Sequence, residues 1–221
     1  VKVTIIVFEI NEIDGMKAMM PQIDKEWYDE LIVIDGGSTD GTLEYCKENG
    51  YNVFVQKEKG VGAAMNEGVK RATGDIILLY APDGSFTVDR IPIMIEKIKE
   101  GYDLVNVSRY LDWAKSADDT WFTGFGNRCF SLFAKIMMGW QITDFLFTYL
   151  AFKKELIDEL QYDTNEWTWG QSLLINAYKR DKRICEIPGN EPPRIGGDIK
   201  MPKFKAGWVC LKAILKGLCQ E

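Results

Sequence analysis

Short, largely apolar segments alternate with amphipathic ones along the first half of the chain. Val3 to Phe8, Leu31 to Ile34, Tyr51 to Val55, Ile76 to Tyr80 and Leu104 to Val107 are runs of this kind, each bounded by turn residues. Runs so short match strands rather than helices. Between them, the pattern predicts helices from the Asn11–Gly15 turn to about Ile23, over Thr42–Glu48, over Gly62–Ala72 and over Val88–Lys99. Asn49-Gly50, Thr73-Gly74 and Gly101 supply stop signals for the last three. Strands alternating with helices at this spacing predict an α/β fold, with a mostly parallel sheet and helices on both faces. The polar loops after the first, second and fourth strands then gather along one sheet edge, where such sheets bind ligands.

The second half reads differently. Trp121 to Trp140 is rich in aromatics and Met, and Phe130, Leu132, Phe133, Ile136, Met137, Met138 and Trp140 make an apolar helix. Ile157–Tyr162 and Ser172–Lys179 read as helices, and Arg183–Ile187 as a strand ending at Pro188. A Gly/Pro loop, 189–201, carries Arg194 and Lys200. Phe204–Leu218 is an amphipathic helix with Trp208, Leu211, Leu215 and Leu218 on one stripe and Lys205, Lys212 and Lys216 beside it. Such a helix packs on a sheet, or lies on an anionic membrane surface.

Composition narrows the chemistry. A formal charge of −6 argues against a nucleic-acid partner. The chain has no His, so acid–base or metal chemistry falls to carboxylates or thiols. Its five cysteines are scattered, without Cys-x-x-Cys spacing, which predicts free thiols and a cytoplasmic setting. The strand-like opening predicts no signal peptide, and no apolar run is long enough for a membrane span.

Several polar constellations fall on the ligand-binding edge. Leu31-Ile-Val-Ile-Asp35-Gly-Gly37-Ser38-Thr-Asp40-Gly-Thr42 places Asp35 at a strand end, in front of a glycine turn and a capped helix. Asn11-Glu12 sets an amide and a carboxylate after the first strand, suited to a nucleobase or ribose or simply to a helix N-terminus. Lys59-Gly-Val-Gly62-Ala-Ala-Met-Asn66 opens a helix behind a basic loop, where backbone amides and Lys59 suit a phosphate. Ala81-Pro82-Asp83-Gly84 puts one carboxylate after a buried strand, a position fit for Mg²⁺ or for a plain turn.

Taken in order, Asn11-Glu12, the Asp35 segment, the Gly-x-Gly-x-Ala-x-Asn-x-Gly pattern leading to Asp75, and the Asp83 turn resemble the family 2 glycosyltransferases of the GT-A fold, near the dolichol-phosphate mannose synthases. Val107-Ser-Arg109-Tyr110, Asp144 to Phe152, and Glu186-Ile-Pro188 followed by Arg194 and Lys200 resemble later segments of that group, so the likeness spans nearly the whole chain. It implies a single domain, with residues 1–110 binding a nucleotide sugar and residues 111–221 forming the acceptor side. It implies an inverting hexosyltransferase acting on a polyprenyl phosphate or glycan precursor at the inner face of the membrane. Glu12 and Asp35 would hold the donor's ribose and base, with Asn11, Gly37, Ser38, Lys59, Gly62, Asn66, Ala81 and Pro82 lining the donor. Asp83 would anchor Mg²⁺ or Mn²⁺ to the diphosphate. Asp144 would lie near the acceptor as general base, with Asp118, Asp119 and Glu166 as alternatives. Arg109, Arg194 and Lys200 would face phosphate oxygens.

The chain departs from the group's pattern at four points. Ala81 replaces the first Asp of Asp-x-Asp, and Pro82 its middle residue. Phe8 replaces an early Pro, and Thr148-Tyr-Leu-Ala-Phe152 lacks the usual Gly and Arg. Ala81 supports a rival reading, a non-catalytic nucleotide-sugar-binding scaffold. A GT-A-like nucleotidyltransferase ranks lower, because Phe8-Glu-Ile-Asn-Glu12 is not the Gly-rich basic loop that class carries after its first strand.

Overall fold

The computed structural model describes residues 1–117, 119–139, 141–196 and 203–219. In chain order the elements are β1 (Val3–Glu9), α1 (Ile13–Met19), β2 (Glu30–Asp35), α2 (Thr42–Glu48), β3 (Asn52–Val55), α3 (Val61–Arg71), β4 (Ile76–Tyr80), α4 (Ile91–Lys99), β5 (Leu104–Ser108), α5 (Trp121–Met138), β6 (Leu150–Lys153), α6 (Glu155–Glu159), α7 (Trp169–Lys179), β7 (Ile184–Pro188) and α8 (Lys203–Cys219). The strands form one sheet in the order β3-β2-β1-β4-β6-β5-β7. All pairings are parallel except those of β6, which runs antiparallel to both β4 and β5. This is the GT-A type α/β arrangement that the sequence predicts.

The two-residue period of the strands divides the core between the faces. Ile6, Ile32, Ile34, Ile77 and Leu79 point to one side and pack with Val69 of α3 and Trp169 and Leu173 of α7. Ile5, Val7, Val33, Leu78 and Tyr80 point to the other and pack with Met16 of α1 and Ile91, Met94 and Ile95 of α4. With both faces covered, the central strands read as unbroken apolar runs.

Three elements differ from the sequence-based expectation. The first helix stops at Met19 and tightens into a 3₁₀ turn over Met20–Gln22, because Pro21 cannot donate to a continuing α-helix. Helix α6 ends at Glu159 instead of running to Tyr162; Gln161 turns back at φ 48°. Strand β6 was not predicted at all. Three of its four residues, Leu150 to Phe152, are fully buried and carry no alternation that would mark a strand.

Helix α5 starts at a Thr120 cap, where Thr120 and Thr123 satisfy each other's backbone N–H groups. It buries Ser131 and Ala134 but exposes Trp121, Phe125, Leu132 and Ile136. Helix α8 buries Cys210, Ala213 and Ile214, whereas Trp208 and Leu215 face outward and Leu211 is half-buried. The apolar stripe expected to decide its role is therefore largely the outer one. No helix among the described residues is long and apolar enough to cross a membrane.

Candidate functional site

The carboxyl ends of β1, β2 and β4 deliver the chemistry. Residues 10–13 and 36–42 are laced together. Asn11 N donates to Ser38 Oγ at 2.8 Å, Thr39 N to Asn11 Oδ1 at 2.8 Å, Glu12 N to Thr42 Oγ1 at 3.1 Å and Ile13 N to Asp40 Oδ2 at 3.1 Å. Asn11 adopts φ 51°, a left-handed conformation that Asn tolerates better than most residues. Gly15, in the first turn of α1, lies against the β4 loop, where an added Cβ would come within 2.3 Å of the Pro82 carbonyl oxygen. That contact brings Glu12 up to Asp83.

Asp83 sits in a tight turn. Its Oδ1 accepts from Ser85 N at 2.9 Å and Ser85 Oγ at 2.5 Å, and Gly84 takes φ 88°. Its Oδ2 accepts from Arg194 Nη1 at 2.6 Å, while Arg194 Nη2 donates to Glu12 Oε1 at 2.5 Å. One guanidinium thus spans two nearly buried carboxylates that lie 71 positions apart in sequence, Glu12 and Asp83.

Whether these residues fit a divalent cation follows from the donor set. No cluster of three His, Cys, Asp or Glu ligands exists among the described residues, so the protein alone forms no cage. Two carboxylates nevertheless already share a cation here, the Arg194 guanidinium. Hard cations are often held by one or two carboxylates plus ligand phosphates. The residues therefore suit an ion that brings phosphate ligands of its own, and Asp83 is the side chain that would hold it.

A second acidic pair lies below. Glu9 and Asp35 are register partners at the ends of β1 and β2. Asp35 is wholly buried, and its Oδ1 accepts from Gly37 N at 2.8 Å and Ser38 N at 3.0 Å. Glu9 Oε2 accepts from Ser38 Oγ at 3.1 Å. The other oxygens, Glu9 Oε1 and Asp35 Oδ2, are buried and receive no N–H or O–H donor. One proton shared between the two carboxyl groups satisfies both. Burial pushes the Glu9 carboxyl up to about 9, aided by its hydrogen bond to Asp35 and by the charges of Asp35 and Asp40. Burial acts the same way on Asp35, but hydrogen bonds from Glu9, Ser38 and Gly37 outweigh it and leave that group below its ordinary value. The proton therefore resides on Glu9.

A stability prediction follows. Folded Glu9 stays protonated up to about pH 9, whereas the unfolded chain ionises near 4.5. Between those limits the native state binds more protons, so stability is present in full at low pH and falls as pH rises. Glu9→Gln replaces the shared proton by an amide that donates to Asp35. The variant should be more stable than wild type by roughly 1–3 kcal/mol at pH 8, with the gap closing near pH 5, as read by thermal melts across that range.

The acceptor-side expectations are partly corrected. Asp144 is wholly buried and is not a free base. It accepts from Arg109 Nε at 2.7 Å, Arg109 Nη2 at 3.0 Å and Arg109 N at 3.1 Å, and from Leu146 N and Phe147 N. Arg109 Nη1 goes to Glu191 at 2.9 Å, and its guanidinium lies 4.7 Å from the Phe147 ring centroid. Although burial disfavours its charge, the Asp144 and Glu191 carboxylates hold the Arg109 proton more tightly than usual. Arg109 is thus committed to the fold and not to a phosphate. Glu186 completes this buried block, accepting from Thr143 N at 2.7 Å and Asp144 N at 3.1 Å.

Asp119 is half-buried, and its carboxylate accepts from Tyr110 OH at 2.5 Å and Asn127 Nδ2 at 3.0 Å. Gly62 packs so closely that a Cβ would overlap the Glu166 carbonyl oxygen, so it serves helix packing and not phosphate approach. Asn66 donates to Asp163 and Asn165, Glu166 is exposed and paired with Lys216 of α8, and Lys59 is exposed on the loop before α3. The geometry therefore joins Asn11, Glu12, Gly37, Ser38, Ala81, Pro82, Asp83 and Arg194 at the sheet edge, with Asp35 beneath them, and directs Asn66 and Glu166 elsewhere. Asp118, Trp140 and Lys200 lie outside the described residues, as do the side chains of Met137, Met138, Lys205 and Leu218. Sequence reasoning overlooked Glu9 and Arg128. The signal for Arg128 was its place as one of only two charges, with Lys135, in the sequence of an otherwise apolar helix; its guanidinium carbon lies 5.0 Å from the Tyr110 ring centroid.

The profile of glycosyl transferase family 2 matches residues 22–161, well over half of the chain. The chain belongs to glycosyl transferase family 2. Among family members, the glycosyltransferase AglJ of Haloferax volcanii is 27% identical over 201 residues, covering 90% of this chain and 66% of AglJ. A dolichyl-phosphate hexose transferase of the same organism is 25% identical, covering 96% of this chain and 91% of that protein. The dolichol-phosphate mannosyltransferase of Pyrococcus furiosus is 26% identical, covering 90% of this chain but 59% of that protein. This chain thus spans less than two thirds of the length of two of these relatives. Among solved structures, glucosyl-3-phosphoglycerate synthase from Mycobacterium tuberculosis, in complex with Mn²⁺, UDP-glucose and phosphoglyceric acid, superposes with a TM-score of 0.75 at 19% identity, over 98% of this chain and 79% of that one. That likeness is one of fold.

Proposed function

We propose that this family 2 glycosyltransferase moves a hexose from a nucleoside-diphosphate sugar to a polyprenyl phosphate, inverting the anomeric carbon. The observation that carries the reading is the Glu12–Arg194–Asp83 bridge at the end of the sheet, an acidic and basic pair of surfaces meeting where a diphosphate would lie. The loops of Asn11 and Ser38 present the donor edge, with the Glu9–Asp35 pair beneath them. A divalent cation held by Asp83 would supply positive charge to the departing diphosphate. Arg194 adds planar, bidentate charge at the same place.

The acceptor assignment rests on three features. Asp144 is locked by Arg109, which suits a phosphate acceptor, since a phosphate oxygen is already ionised and needs no base. Among family relatives, two carry names that specify dolichyl- or dolichol-phosphate chemistry. Helix α5 presents Trp121, Phe125, Leu132 and Ile136 on a single exposed stripe, Trp121 being 85% exposed, with Arg128 and Lys135 alongside. An apolar face flanked by basic residues suits insertion at an anionic membrane surface. Arg128 would then stand at headgroup level, near Tyr110 and Asp119.

Incubating the protein with radiolabelled nucleotide sugars and vesicles containing polyprenyl phosphate tests the reading. A lipid-soluble labelled product supports it, and label released only as free sugar, or not at all, removes it. The membrane assignment has its own check. Trp121→Ser with Phe125→Ser should weaken co-sedimentation with anionic vesicles by at least about tenfold, since each ring contributes roughly 1.5–3 kcal/mol when buried. Unchanged sedimentation would dismiss α5 as the contact.

A further inference from the structure

Arg194 is fixed by more than its charge. The next residue, Ile195, donates its backbone N–H to the Asp83 carbonyl oxygen at 2.9 Å. Its side chain covers Gly84 so closely that a Cβ there would approach Ile195 Cγ1 to 2.7 Å. The segment therefore straps the β4 turn, and the guanidinium drops from it between Glu12 and Asp83.

The electrostatics of that position give the strap a purpose. Glu12 and Asp83 are only 5% and 8% exposed, so their mutual repulsion is poorly screened. The guanidinium cancels it. The same guanidinium occupies Asp83 Oδ2, and Oδ1 is taken by Ser85, so a second cation meets no open carboxylate oxygen on Asp83. The Arg194 side chain is itself 28% exposed, and can leave toward solvent or toward an arriving anion. A diphosphate is such an anion: Glu12 and Asp83 repel it and Arg194 attracts it.

We propose that Arg194 is an exchangeable counter-ion. Without donor it holds Glu12 and Asp83 and excludes a divalent cation from Asp83; when a nucleoside diphosphate arrives it turns onto the phosphates and releases Asp83. The inference rests on the reading of Asp83 as the protein ligand of a diphosphate-borne cation. Its consequence is an order of assembly: cation and donor enter together, and cation alone binds weakly.

The test is a Mn²⁺ titration followed by the electron paramagnetic resonance signal of free Mn²⁺, on wild type, Arg194→Met, Arg194→Lys and Asp83→Asn. Without nucleotide, Arg194→Met should bind Mn²⁺ roughly tenfold or more tightly than wild type, a coupling of ordinary size. Arg194→Lys should fall between them, because a lysine ammonium lacks the fork that spans both carboxylates. Asp83→Asn should bind least. If Arg194→Met and Arg194→Lys match wild type while Asp83→Asn loses Mn²⁺, the counter-ion exchange is wrong and Asp83 keeps its role. If Asp83→Asn matches wild type both without nucleotide and with UDP or GDP, the reading of Asp83 fails and this inference goes with it.

Discussion

Asp83→Asn should cut sugar transfer roughly 1,000-fold, the rate equivalent of about 4 kcal/mol of transition-state stabilisation. The reason is that the turn directly after β4, Ala81 to Ser85, carries no carboxylate other than Asp83. Ala81 stands where the family pattern has its first Asp, so the charge that organises the diphosphate depends on Asp83, backed by Arg194. Asn keeps the side-chain shape and its oxygen can still accept from Ser85, so the turn should survive and the melting temperature should change little. Initial rates at saturating nucleotide sugar, set beside a thermal melt, separate the two effects. A variant that transfers within threefold of wild type would assign the leaving-group role to other residues, since the Asp83 carboxylate would then do nothing chemical.

Asp144→Asn should act in the opposite way, on stability first. The carboxylate receives five donors, three of them from Arg109, and neither partner reaches solvent to any useful extent. Removing that charge leaves the buried Arg109 guanidinium with Glu191 as its one remaining carboxylate, a loss of about 3 kcal/mol. For a chain of this length that is a fall in melting temperature of roughly 10 °C. The triple variant Asp144→Leu, Arg109→Met and Glu191→Gln should recover much of the loss, because it removes all three charges. A base role predicts a different pattern: Asp144→Asn would melt as wild type does and lose turnover. Chemical denaturation together with single-turnover rates distinguishes the two.

These two aspartates show what a sequence carries and what it hides. The place of Asp83 was legible because its signal is local: a buried run, Ile76 to Tyr80, followed by a Pro-Asp-Gly turn, fixes it at the sheet edge. The same holds for the loop of Asp35 to Thr42. Asp144 was misread because its role depends on Arg109, which the fold brings from 35 positions away, and no periodicity reports such a pairing. The Glu12–Arg194 contact spans 182 positions and is invisible for the same reason. Glu9, just past the apolar run of Val3 to Phe8, carried no signal of its own; its unusual proton exists only because β1 and β2 lie in register. Strand β6 escaped because Leu150 to Phe152, buried on both sides, looks the same whether strand or loop.

That strand also governs when the molecule can form. β5 does not pair with β4; β6 lies between them and pairs with both. A nascent chain that has emerged only as far as Ser108 holds five of the seven strands, yet β5 has no neighbour to join. Its edge stays open until Lys153 is made, and the register between Leu104 and Phe152 closes a span of 48 residues. Contacts of such separation form slowly. During that interval the β4 edge offers unpaired backbone to any passing strand. Chains truncated between residues 110 and 150 should therefore display a protease-sensitive β5 segment beyond a formed β1–β4 unit, and the commitment to one continuous sheet is made late, by the arrival of four residues.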